Sequence, residues 1–144
     1  MVLVVLLLGF AQSSFAREQA CPPAGSDNPH VSAKSTWTGD FGGRPARCDL
    51  CAYIIDLVNT PTGVVFGRCH VERFRHRKIF GVSLNDGGVS NGAICRPRSS
   101  SFRRCCTLAL PTVGFDAAHP PVSLTGTMTC PRQPEATGFS LTAQ

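Results

Sequence analysis

From Val122 to Cys130 the chain alternates between two faces. Val122, Leu124, Met128 and Cys130 share one, and Ser123, Thr125, Thr127 and Thr129 share the other. A period of two with β-branched threonines is the pattern of a half-buried strand. Gly126 falls on the inner face and marks a bulge or a close approach of backbone. The same alternation recurs at Phe80, Val82 and Leu84. There it runs into Asn85-Asp86-Gly87-Gly88, a turn signal from which Val89 to Cys95 returns as the second arm of a hairpin. Between Val64 and Phe74, Val65, Cys69 and Val71 point one way and Arg68, His70 and Glu72 the other. Thr107 to Leu110 is a further short strand, ended by Pro111. Several short strands separated by turn signals predict an all-β sandwich or barrel.

Cys48 to Val58 fits two periods. Cys48, Cys51, Ile55 and Val58 lie on one helical face, while Tyr53, Ile54 and Val58 equally suit a strand. Pro61 and Gly63 are expected to end the element in either case. Residues 22–47 are rich in Pro, Gly, Ser and Asp. They read as a loose N-terminal arm with Trp37 as its one large anchor, tied down if Cys21 is bridged. The expected organisation is therefore a signal peptide over 1–16, an arm over 17–47, a disulfide-rich β domain over 48–130 and a C-terminal tail over 131–144.

The apolar run Val2–Phe10, followed by Ser14 and Ala16 at the −3 and −1 positions of a cleavage site, predicts an export signal with Arg17 as the mature N-terminus. The run is shorter than the about 20 residues of a membrane span. The eight cysteines, Cys21, Cys48, Cys51, Cys69, Cys95, Cys105, Cys106 and Cys130, all follow it. In an oxidising compartment they pair. Eight cysteines allow about 105 pairings, so counting does not choose among them.

Charge is uneven along the chain. Arginine outnumbers lysine twelve to two, and residues 68–104 hold Arg68, Arg73, Arg75, Arg77, Lys78, Arg96, Arg98, Arg103 and Arg104 against only Glu72 and Asp86. This basic middle is the candidate anion-binding segment, with acidic polysaccharide or an anionic surface as its expected partner rather than nucleic acid. Cys48, Cys51, Cys69 and His70 are ligand types that zinc accepts, but no second Cys-x2-Cys or His pair completes a site, and neither metal nor cofactor is expected. His70 and His76, among arginines, form the one acid–base arrangement to consider, as in a small secreted ribonuclease. A solvated basic strand edge accounts for the same residues. No Gly-x-Ser-x-Gly elbow, phosphate-binding loop or paired carboxylates occur.

Cys48-Asp49-Leu50-Cys51, Gly63-Val64-Val65-Phe66-Gly67-Arg68-Cys69, the Asn85–Gly88 turn, and Cys95 followed by Ser99-Ser100-Ser101 and Cys105-Cys106 together resemble the pollen olive-allergen and extensin-like family of secreted plant proteins. The likeness covers about Arg47 to Cys130. It implies a small β-barrel, an extracellular or cell-wall location and no catalytic residues. It also implies pairing of Cys48 with Cys105 or Cys106, Cys51 with Cys130 and Cys69 with Cys95, leaving Cys21 for the unused member of the adjacent pair. The helical option for Cys48–Val58 resembles instead the start of a saposin-like lipid-binding domain. The expected function is that of a secreted, non-catalytic extracellular protein that binds acidic polymer through its basic middle. The alternatives are a basic defence protein acting on membranes and a small secreted hydrolase.

Overall fold

The computed structural model describes Cys21 and residues 31–57, 60–75, 77–85, 90–97, 105–111, 113–115 and 119–144. The expected signal segment, most of the expected arm before Val31, and the Asp86–Val89 part of the expected turn lie outside these residues. Eight strands follow one another: β1 (Val31–Phe41), β2 (Arg44–Leu57), β3 (Thr60–Val71), β4 (Lys78–Asn85), β5 (Ser90–Cys95), β6 (Cys105–Leu110), β7 (Ser123–Cys130) and β8 (Gln133–Ala143). Each pairs antiparallel with the next, and β8 pairs back onto β1, so the sheet closes into an up-and-down barrel. The fold is all-β, as the alternation predicts, and it is a barrel rather than a sandwich.

Period two decides the ambiguous segment. Cys48, Leu50, Ala52 and Ile54 of β2 point inward and are buried, while Arg47 and Asp49 are exposed. The helical alternative for this segment is therefore wrong, and with it the saposin-like reading. Twelve registered pairs join β2 to β3. Their ladder satisfies backbone groups across the sheet, and the β-branched and aromatic residues suit a pleated surface. Pro61 and Gly63 do not end an element but lie inside β3, opposite Asp56 and Ile54.

Two boundaries also move. Residues 31–47, expected as arm, form β1 and the start of β2, and the expected tail is β8. Neither segment carries a strong alternating signal of its own. Each becomes a strand because closure gives it a partner on both sides, with Trp37 opposite Cys48 on β2 and Ala143 on β8. Gly42 and Gly43 make the tight β1–β2 turn with φ of 59° and 82°, a left-handed conformation that glycine adopts at little cost. Asp40 Oδ2 accepts a hydrogen bond of 3.0 Å from the Gly43 N–H.

The interior is filled with side chains. An eight-stranded barrel has a lumen about as wide as its own inward residues, and here Trp37, Leu50, Val65, Phe80, Leu108, Leu124 and Leu141 are all buried within it. Near the β1–β2 turn, Phe41 stacks on Phe139 at 5.5 Å and meets Phe80 edge-on at 6.3 Å. At the opposite end Val113 and Phe115, from the β6–β7 connection, pack against the core. The outward residues Ser123, Thr125, Thr127 and Thr129 of β7 are exposed. On this strand an apolar inner face lies under a polar outer one, the inverse of a lipid-facing strand.

All eight cysteines are paired: Cys21–Cys51, Cys48–Cys69, Cys95–Cys105 and Cys106–Cys130. No pairing implied by the pollen-allergen likeness is formed. Register is the reason, since Cys48 lies directly opposite Cys69 and Cys95 directly opposite Cys105 on neighbouring strands. Their Cα atoms are 4.0 and 4.2 Å apart. Adjacent Cys105 and Cys106 face opposite sides of β6, so one bridges outside to β5 and the other bridges to β7 on the core side. Cys21 is bridged, as the arm required, but to Cys51 on the outer side of β2.

Peptide mapping of the oxidised protein is expected to return these four pairs with no free thiol. Replacing both Cys48 and Cys69 by alanine should cost about 2–4 kcal/mol of stability in chemical denaturation. Gly126→Val should cost more than the usual about 1 kcal/mol of a point change, because a Cβ at Gly126 would meet the Ala109 carbonyl oxygen.

Candidate basic rim

An up-and-down meander puts alternate connections at opposite ends of the barrel. The β1–β2, β3–β4, β5–β6 and β7–β8 connections share one end. The β2–β3, β4–β5 and β6–β7 connections share the other with both chain ends of the sheet. Among the described residues the first end carries seven cations: Arg44, Arg73, Arg75, Arg77, Lys78, Arg96 and Arg132. Asp40, Glu72 and Glu135 are the carboxylates there, and Asp40 is engaged by the Gly43 N–H. The connections at the other end contain no Lys or Arg. The charge asymmetry seen along the chain is thus an asymmetry between the two ends of a barrel.

Of the sequence candidates, Arg73, Arg75, Arg77, Lys78 and Arg96 come together on this rim. Arg68 does not. It stands on the barrel wall, opposite Asp49 of β2. Arg98, Arg103 and Arg104 lie outside the described residues. Arg44 and Arg132 join the rim from far away in sequence, and the alternation of strand direction is the signal that finds them.

The rim has one organised feature. Glu72 N–H donates to the Pro45 carbonyl at 2.9 Å and Phe74 N–H to the Val71 carbonyl at 3.1 Å, which ties the β3–β4 connection to the start of β2 and the end of β3. Arg73 between them has φ of 72°, a region that costs an L-residue energy and that short polar residues or glycine usually occupy. The fold places the Phe74 ring, 38% exposed, beside two cations. The Arg44 guanidinium carbon is 4.9 Å and the Lys78 ammonium 4.8 Å from its centroid. Both lie within cation–π range. Burial, and then the positive charge of Arg96, hold the Lys78 ammonium below the ordinary lysine range.

Among the described residues the other candidate chemistry is not assembled. Cys48, Cys51 and Cys69 are in disulfides, and no cluster of three metal-ligating side chains occurs among the described residues. His70 is exposed on β3, near the basic end, whereas His119 is in the β6–β7 connection at the other end. His76 lies outside the described residues. No acid–base pair of histidines forms among the described residues. Among these residues, no helix is long and apolar enough to cross a membrane.

The chain is, by fold and site, a disulfide-bonded closed β-barrel with a solid interior and one basic end. No protein-family model, curated protein or solved structure matches it.

Two outcomes test the rim. A lysine whose pKa is lower in the folded than in the unfolded state costs stability while it is charged, and the cost lifts as pH rises through the folded value. Arg96→Gln is therefore expected to move the Lys78 titration upward, read by NMR, and to shrink the gain in stability on raising pH toward the unfolded lysine value. Arg73→Gly should raise stability by up to about 1 kcal/mol, read as a higher denaturation midpoint, as the left-handed strain is released.

Proposed function

We propose that this chain is an exported, non-catalytic protein that binds acidic polysaccharide of the extracellular space or cell wall through the basic end of its barrel. The observation that carries the reading is the collection of seven exposed or half-exposed cations on one rim, drawn from every connection at that end, while the opposite connections have none. Such a predominantly cationic surface attracts a polyanion over the range of the Debye length, about 8–10 Å at physiological ionic strength. A packed lumen favours action at the outer surface over enclosure of a ligand. Four disulfides mark an oxidising compartment, and with the export-type segment of residues 1–16 they favour secretion. The extracellular, non-catalytic role implied by the pollen-allergen likeness agrees with this reading, although that family's cysteine pairing does not carry over.

The test is retention on polygalacturonate and heparin resins. Wild type is expected to be retained at low salt and released as salt rises. The triple change Arg75→Gln, Arg77→Gln and Arg132→Gln should elute at clearly lower salt with an unchanged denaturation curve. Retention that ignores salt, or none on either resin, overturns the reading. Dye release from anionic vesicles would favour the membrane-active alternative, and RNA cleavage lost on His70→Ala would favour the hydrolase.

A further inference from the structure

The seven rim cations are not equivalent. Arg44 opens β2, Lys78 opens β4, and both reach the same aromatic ring from the β3–β4 connection. Their charged groups are therefore no more than about 10 Å apart. Arg96 directly follows Cys95, which pairs with Ile79 beside Lys78, and its charge acts on Lys78. Cys95 is covalently tied to Cys105, which fixes the strand end that carries Arg96. Two like charges thus share one half-exposed ring and a third, Arg96, acts on one of them, although separation would lower their repulsion. The ring's negative face offsets part of that repulsion by holding two of them in place. A bound anion would offset the rest, and it would find its partners already positioned.

We propose that Arg44 and Lys78, organised by Phe74, together with Arg96 just past the end of β5 form a defined subsite for a single oxyanion, the carboxylate or sulfate of an acidic glycan. This rests on the polymer-binding reading of the basic end, and it makes one point of that end a specific contact within a diffuse field. Arg44 and Arg96 donate paired N–H groups to the oxyanion, and Lys78 adds a compact charge. Phe74 is a positioning residue. It need not touch the anion, and its loss changes geometry without changing net charge.

Titrating the intact, oxidised protein with galacturonate and, separately, inorganic sulfate tests the subsite, read from side-chain NMR signals of arginine and lysine. Arg44, Lys78 and Arg96 are expected to respond before Arg75 and Arg132. Phe74→Leu, at unchanged net charge, should weaken the response about fivefold, in keeping with the loss of cation–π contacts, and Phe74→Trp should keep it. A response to galacturonate alone or to sulfate alone supports the subsite and names its anion. Equal response of all rim arginines, or Phe74→Leu binding like wild type, overturns the subsite and leaves the polymer reading standing. A local response in a protein that acidic resins fail to retain supports the subsite while the polymer reading falls. No response to either anion overturns the subsite. Denaturation curves of both Phe74 variants establish that the barrel is intact, as expected for a half-exposed ring.

Discussion

Closure of the sheet between β1 and β8 is the constraint on which the rest of this molecule depends. Trp37 to Phe41 pair with Ala143 back to Phe139, and this seam removes the two free edges that a seven-connection meander would otherwise present to solvent. Closure also defines an inside. Once it is made, every second residue of eight strands faces one narrow space, and that space is filled by leucine, valine and aromatic side chains. Burial of this apolar surface is the main favourable term. The ladder supplies the obligatory pairing of backbone groups, and Trp37 illustrates the balance. Its ring is fully buried, while its indole N–H has no hydrogen-bond partner among the described residues, a loss tolerated where so much apolar area is gained.

The disulfides add to a fold whose register already brings the sulfurs of three of them together. Three of them link neighbouring strands, and the fourth holds Cys21 to the outer face of β2. The adjacent pair Cys105-Cys106 ties β6 to both its neighbours, because successive residues of a strand point to opposite faces. These bridges restrict the unfolded chain most where they close the longer loops. Cys95–Cys105, closing the shortest, bounds the connection on the basic rim.

The same alternation of strand direction produces the electrostatics. A chain that reverses at every turn sends its first, third, fifth and seventh connections to one end, so cations far apart in sequence become neighbours. Arg44, the β3–β4 connection, Arg96 and Arg132 meet in this way. The apolar plug of Phe41, Phe80 and Phe139 lies beneath them. Low-dielectric material below a charged rim strengthens the field above it, which is the physical link between the core and the proposed surface.

Strand identity was legible in the sequence wherever one face meets the core and the other meets water. The alternating stretches at Val65–Val71, Phe80–Leu84 and Leu124–Cys130 emerged as strands with the expected residues inward, except that Val122, expected on the inner face of the last, is exposed just before β7, and the cysteine content was enough to indicate an oxidised framework. The basic segment was legible as composition. The terminal strands β1 and β8 were not, because their pattern is weak alone and they are stabilised by pairing with each other across the closed seam. Nor were the cysteine pairs, since pairing follows cross-strand register, a relation between distant segments that spacing along one chain does not encode. The rim was half visible: its local arginines stood in one stretch, but Arg44, Arg132 and the ring between Arg44 and Lys78 were gathered by topology. Local chemistry is written in neighbouring residues, whereas register, closure and the meeting of separate turns arise only when the whole sheet is assembled.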